Sequence, residues 1–84
     1  MVIHGTEPTV GAVLVGAHYD TVSRDMTSFD SIQPGADDNA SGVAAVLEIA
    51  RLAAPSPHRG TIICVLFGAE VHGRFGSKAF VENI

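Results

Sequence analysis

The sequence predicts an α/β chain, a three-layer-type fragment. A short β-hairpin leads into a right-handed βαβ unit with a C-terminal helix, on a mixed or parallel sheet. Three observations predict this. Ala12 to Ala17, "AVLVGA", is an apolar run of strand length rich in β-branched residues, and Thr61 to Phe67, "TIICVLF", is a second. Between them Val43, Val46, Leu47 and Ala50 recur at i, i+3, i+4 and i+7, the spacing of one helix face. A strand, a helix and a strand in that order cross over right-handed and leave the two strands parallel.

Each element has a local reason. Val2-Ile3-His4 is a short strand, and the turn chemistry of "GTEPTVG" lets it pair with Ala12–Ala17 as the hairpin. Thr21 to Pro34 is polar and aperiodic and reads as a long loop, a length that in compact domains is usually functional or disordered. Asn39 is the expected N-cap of the helix, Ile49 and Leu52 widen its apolar face, and "PSP" at Pro55–Pro57 stops it. Thr61–Phe67 is apolar on both faces, which predicts a central, buried strand. "GRFGS" leads into a terminal helix, Ser77 to Glu82, capped by Ser77.

Length and composition narrow the function. Eighty-four residues make a single, partial domain over 1–84 with a marginal core. A net charge of −4 gives no basic footprint for nucleic acid. The lone Cys64 lies within an apolar run and reads as a small buried hydrophobe. The start, "MVIHGTEP", has neither the basic nor the apolar part of a signal peptide, and Ile62–Phe67 is too short to span a bilayer. A soluble chain follows, with no membrane partner and the cytoplasm as the default compartment.

Ligands of open α/β sheets bind beyond the carboxyl ends of the strands. That rule selects "GAHYD" after the first long strand and "GAEVHG" after the last, and the helix start "GADDNASG" opens at the same edge. In "AHYD", His18 and Asp20 share a face if strand geometry persists, and a metal-bound imidazole commonly donates its second N–H to such a carboxylate. The plainer reading is a solvated loop histidine. In "PGADDNASG", Asp37 and Asp38 precede a helix N-terminus, where capping and the helix dipole alone would favour them. An EF-hand register fits Asp37, Asn39, Gly42 and Glu48 but fails, because no helix enters it and its second half is the helix itself. A phosphate loop fails too: two acids would repel the anion and no Gly-Lys-Ser/Thr follows. Glu70, at the end of a buried strand, suits general-base activation of a metal-bound water, or is an exposed turn acid. His72 is a loop histidine or a ligand; His4 and His58 lie in turns and read as inert.

The ordered set "AHYD", "PGADDNASGVAA" and "AE..G..GS" resembles the co-catalytic di-zinc aminopeptidases of clan MH, the bacterial leucyl aminopeptidase type, over Val2 to about Val81. The resemblance implies two zinc ions and a peptide substrate. It implies that His18 ligates one zinc, Asp37 bridges both, Asp20 stands behind His18, and Glu70 is the base that deprotonates the bridging water. Asp38 would follow the bridging aspartate, where the family often has a cis peptide bond. The sequence departs from the family at Val71, where a second glutamate would bind the other zinc. One more aspartate and one more histidine ligand lie later in a domain several times this length. The remaining donors leave one zinc with two protein ligands and the other with one, below the three of a catalytic site. His72 could replace the lost carboxylate but stands one residue out of phase.

Two functions follow as expectations. One is a fragment of a zinc-dependent aminopeptidase, inactive as this chain. The alternative is a non-catalytic metal-binding or oligomerising remnant, because an isolated piece of parallel sheet exposes strand edges and apolar surface. A homo-oligomer joined through a sheet edge or exchanged elements is expected in either case.

Overall fold

The structure is a computed structural model that describes residues 1–7, 9–21, 34–71 and 73–83. The elements run β1 (Val2–Ile3), β2 (Val13–His18), a kinked turn (Ala36–Ala40), α1 (Ser41–Ala53), β3 (Ile62–Phe67) and α2 (Phe75–Glu82). Of the expected loop, Thr21 to Pro34, residues 22–33 lie outside the described set. No helix among the described residues is long and apolar enough to cross a membrane.

The three strands form one mixed sheet in the order β1-β3-β2. β2 and β3 run parallel, with Val15 opposite Cys64 and His18 opposite Phe67. The apolar β3 is central, as its composition predicts, but it is not buried throughout: Cys64 is buried and Leu66 is exposed. The hairpin is a correction. β1 pairs antiparallel with β3, not with β2, placing Val2 opposite Ile63. The N-terminal segment is fastened along the chain leading into β3. Met1 and Cys64 exchange two main-chain bonds of 2.8 Å, Thr6 N–H donates to His58 O, and Gly5 N–H donates to the Thr61 hydroxyl. Glu7 and Arg59 add an exposed ion pair on the same seam. A strand apolar on both faces has two edges to satisfy, and β1 fills the one that β2 leaves open.

Alternation along the strands sorts the two faces. Val15 and Ile62 pack with Cys64 against Val46 and Ala50 of α1, forming the core. Phe67 lies on the opposite face, where its ring meets Phe80 of α2 edge-on with centroids 5.7 Å apart. The two helices therefore cover opposite faces, giving helix, sheet and helix layers.

The buried stripe of α1 is narrower than its hydrophobicity suggests. Val46 and Ala50 are buried, whereas Leu47, Ile49 and Leu52 are exposed. A sheet of three strands, one of them two residues long, offers one stripe of contact rather than a broad floor. The helix ends at Ala53, just before Pro55, as predicted. The cap differs: α1 begins at Ser41 after Ala40, with no side chain capping it, and Asn39 is used elsewhere. α2 begins two residues earlier than the sequence suggests, at Phe75. A Cβ at Gly76 would collide with the carbonyl oxygen of Gly68, so glycine lets the first turn of α2 sit directly on the end of β3.

Candidate functional site at the carboxyl edge of the sheet

The last residue of β2 is His18, and the last of the parallel β3 is Phe67. The chain leaving each strand turns towards the same rim. A cleft of about 590 Å³ opens there, lined by Leu14, His18, Asp38, Phe67, Glu70 and Val71 among others. Part of the lining is apolar, and four titratable side chains, His18, Asp38, Glu70 and Arg74, line the rest with Ser77.

His18 is held on both sides. Its Nδ1 lies 3.1 Å from the main-chain oxygen of Asp20 and 3.4 Å from Asp20 Oδ1. Its Nε2 lies 3.1 Å from Asp38 Oδ1. A neutral imidazole has one N–H, so it can donate to only one of these acceptors. The other contact needs a protonated ring or a cation between nitrogen and oxygen. Two ligands of a tetrahedral zinc, each about 2.0–2.1 Å from it, stand about 3.3–3.4 Å apart. The separation of His18 Nε2 and Asp38 Oδ1 is close to that value.

The kinked turn explains why Asp38 reaches this position. Asp38 and Asn39 leave helical geometry, with φ −125° and −143°, and the peptide bond joining them is cis. Asn39, expected to cap α1, donates its Nδ2 to the main-chain oxygen of His18 at 3.2 Å. That bond fastens the turn to the end of β2. Gly42 allows it: a Cβ there would lie 2.5 Å from Asn39 Nδ2. Asp37, the aspartate assigned from the resemblance, is exposed. Its main-chain oxygen accepts the Ser41 hydroxyl at 2.8 Å. The structure thus sets Asp38, not Asp37, opposite His18. Both carboxylates are exposed; adjacent side chains alternate in direction along an extended backbone, and the residues by themselves do not say which one faces His18.

Glu70 stands on the far side of the cleft, in a turn bounded by two residues of left-handed conformation, Ala69 (φ 54°) and Arg74 (φ 57°). Its Oε1 accepts the N–H of Ser77 in the first turn of α2 at 3.1 Å. Its Oε2 is buried and has no hydrogen-bond partner among the described residues. Asp20 lies beneath: its Oδ2 accepts the N–H groups of Glu70 (2.8 Å) and Val71 (3.1 Å), while Oδ1 is buried without a hydrogen bond. Burial pushes the Asp20 carboxyl up. The N–H groups of Val71, of Asp20 itself and of Glu70, with the charge of His18, outweigh that effect and hold it below its ordinary value.

Comparison with known proteins decides the family. The model of Peptidase family M28 matches residues 1–84. The chain belongs to that family. It is 40% identical over 80 residues to a probable lipoprotein aminopeptidase, LpqL, of Mycobacterium tuberculosis, covering 94% of this chain and 14% of that protein. It is 39% identical over 72 residues to aminopeptidase YwaD of Bacillus subtilis, covering 86% of this chain and 14% of that protein. A probable zinc metalloprotease of Pyrenophora tritici-repentis is 32% identical over 80 residues, 95% of this chain and 17% of its own length. The chain thus spans less than a fifth of the length of these relatives. No solved structure matches it.

Against this family, the described donors are a partial set. His18 Nε2 and Asp38 Oδ1 have the spacing of two zinc ligands. No group of three or more His, Cys, Asp or Glu side chains among the described residues is placed to hold a metal ion. Val71, which lines the cleft, has no lone pair to add. His72 lies outside the described residues. The residues described here do not complete a catalytic zinc site, which takes three protein ligands and a water.

Proposed function

We propose that this chain is the metal-edge segment of a zinc-dependent aminopeptidase of the M28 family, a partial domain over 1–84 that is catalytically inactive on its own. The pairing of His18 Nε2 with Asp38 Oδ1 at 3.1 Å, with no third donor among the described residues placed to join them, carries the reading. In the parent reaction, hydrolysis of an N-terminal peptide bond, a zinc ion would supply the activated water. In this chain, His18 and Asp38 retain two donor atoms towards one such ion, and Asp37 remains in solvent. Glu70, which lines the cleft, retains one carboxylate oxygen, the buried Oε2, without a hydrogen-bond partner among the described residues, and a carboxylate of this kind suits a general base. The test is hydrolysis of aminoacyl-arylamide substrates by the purified chain with added zinc. The expected result is no turnover above the metal-only background, for the chain itself and for Val71→Glu, which adds one donor where more are missing. Robust turnover by the unsubstituted chain contradicts the reading.

A second reading is favoured by the exposed apolar surface. Leu47 and Leu52 of α1 and Val13 of β2 are each about 60% exposed, and β2 is an edge strand. Such surface suits a non-catalytic module that pairs with a second copy through the sheet edge. Light scattering at micromolar concentration tests it. A dimer or larger species supports the reading, and a stable monomer removes it.

A further inference from the structure

Asp20 has a second task besides facing His18. We infer that Asp20 is the positioning residue for Glu70, a carboxylate clasp that sets the 69–71 turn at the distance from His18 at which Glu70 enters the cleft. Its Oδ2 takes two consecutive main-chain N–H groups, those of Glu70 and Val71. Consecutive N–H groups converge on one anion in nests and turns where the backbone changes hand locally. Ala69, with φ 54°, supplies that change. An alanine in this conformation is disfavoured by its Cβ, so the turn needs holding on both sides. On one side Phe75 N–H donates to Ala69 O, and the Gly73 and Arg74 N–H groups donate to Glu70 O. On the other, Asp20 takes the amides. The one acceptor these two amides have among the described residues is Asp20.

The consequence reaches the Glu70 side chain. Glu70 is fixed at the backbone by Asp20 and at Oε1 by Ser77 N–H, and these two restraints leave Oε2 as the free oxygen. On its other side, Asp20 contacts the imidazole of His18 through both its main-chain oxygen and Oδ1. One side chain therefore couples the end of β2 to the turn after β3, two stretches fifty residues apart in sequence. Without it, the Glu70 and Val71 amides lose their acceptor and open to solvent, while the bonds to Ala69 O and Glu70 O remain. The inference depends on the peptidase reading only in treating Glu70 as a functional group; the geometry stands whether or not the chain acts on peptides.

Amide hydrogen exchange, read by nuclear magnetic resonance on the full chain, tests it. In Asp20→Ala the Glu70 and Val71 amides should exchange at least tenfold faster than in the unsubstituted chain, while Ile63–Leu66 of β3 change less than threefold. A general structural role would instead accelerate all of these together, and that result overturns the inference. Unchanged exchange at Glu70 and Val71 overturns it as well. Should Asp20→Ala fail to fold, scalar coupling across the hydrogen bonds of the unsubstituted chain decides. Cross-peaks linking Asp20 Cγ to the nitrogens of Glu70 and Val71 are expected, and their absence refutes the clasp. Both readouts are independent of turnover, so failure here is distinct from failure of the proposed function.

Discussion

Truncating Val46 to alanine tests whether the site rests on the narrow core under α1. Val46 is 4% exposed and packs with Ala50 and Cys64 against β2 and β3. Val46→Ala removes two buried carbon groups, about 1.6 kcal/mol at about 0.8 kcal/mol each. The space left behind adds up to about 1 kcal/mol, less if the half-buried Val15 and Ile62 close in. The expected loss is about 2 kcal/mol. For a domain this small, with a urea dependence of about 1 kcal/mol per molar, the midpoint falls by about 2 M. Far-UV circular dichroism in urea follows it, since the chain has no tryptophan. The neighbouring Leu47, larger but 59% exposed, is the control; Leu47→Ala should cost less than about 0.5 kcal/mol. A loss at Val46 below about 0.5 kcal/mol, or an equal loss at Leu47, refutes the assignment of the buried stripe.

Further outcomes follow from the same structure. Arg74 holds a left-handed conformation at the start of α2, so Arg74→Gly relieves backbone strain and should stabilise the fold by about 0.5–1 kcal/mol, read from thermal unfolding; a loss of stability would contradict the strain. Asp20 is held below its ordinary value of 3.8 in the folded state. A depressed carboxylate contributes stability that is complete above the unfolded value and lost as pH falls through the folded one. Acid titration should therefore show destabilisation below about pH 3.8 that is reduced in Asp20→Asn, and identical acid limbs in the two proteins would refute it.

Much of the fold was legible because periodicity and composition act locally. The apolar β3 had to be central, and the parallel β2–β3 pair followed from the helix between them. The partner of β1 was not legible: a two-residue strand carries too little pattern to choose an edge, and its choice rests on long-range bonds to residues 58–64. The outer face of α1 misled for a related reason. Leu47, Ile49 and Leu52 are apolar, but hydrophobicity does not reveal how wide the sheet beneath is. At the site, the sequence placed His18, Asp20 and Glu70 on one rim, because strand ends and chain order determine that edge. The resemblance gave the metal role to Asp37, whereas Asp38 is the carboxylate beside His18; the choice depends on the kink at residues 38 and 39 and on Asn39 bonding to His18 rather than capping α1. The signal available beforehand was Gly42, which leaves room for exactly that side chain to lie against the helix start.

The most direct measurement is a cobalt titration of the nitrogen-15-labelled chain, recording where paramagnetic broadening appears. Convergence of His18, Asp38 and Glu70 on one cleft, with two donors to the metal, predicts broadening of residues 17–20, 37–40 and 69–71 together. Two donors, at about a quarter each of the 10–16 kcal/mol of a four-ligand site, give about 5–8 kcal/mol, so saturation should need micromolar to submillimolar metal. Broadening at only one of those stretches, or elsewhere on the molecule, would contradict the account.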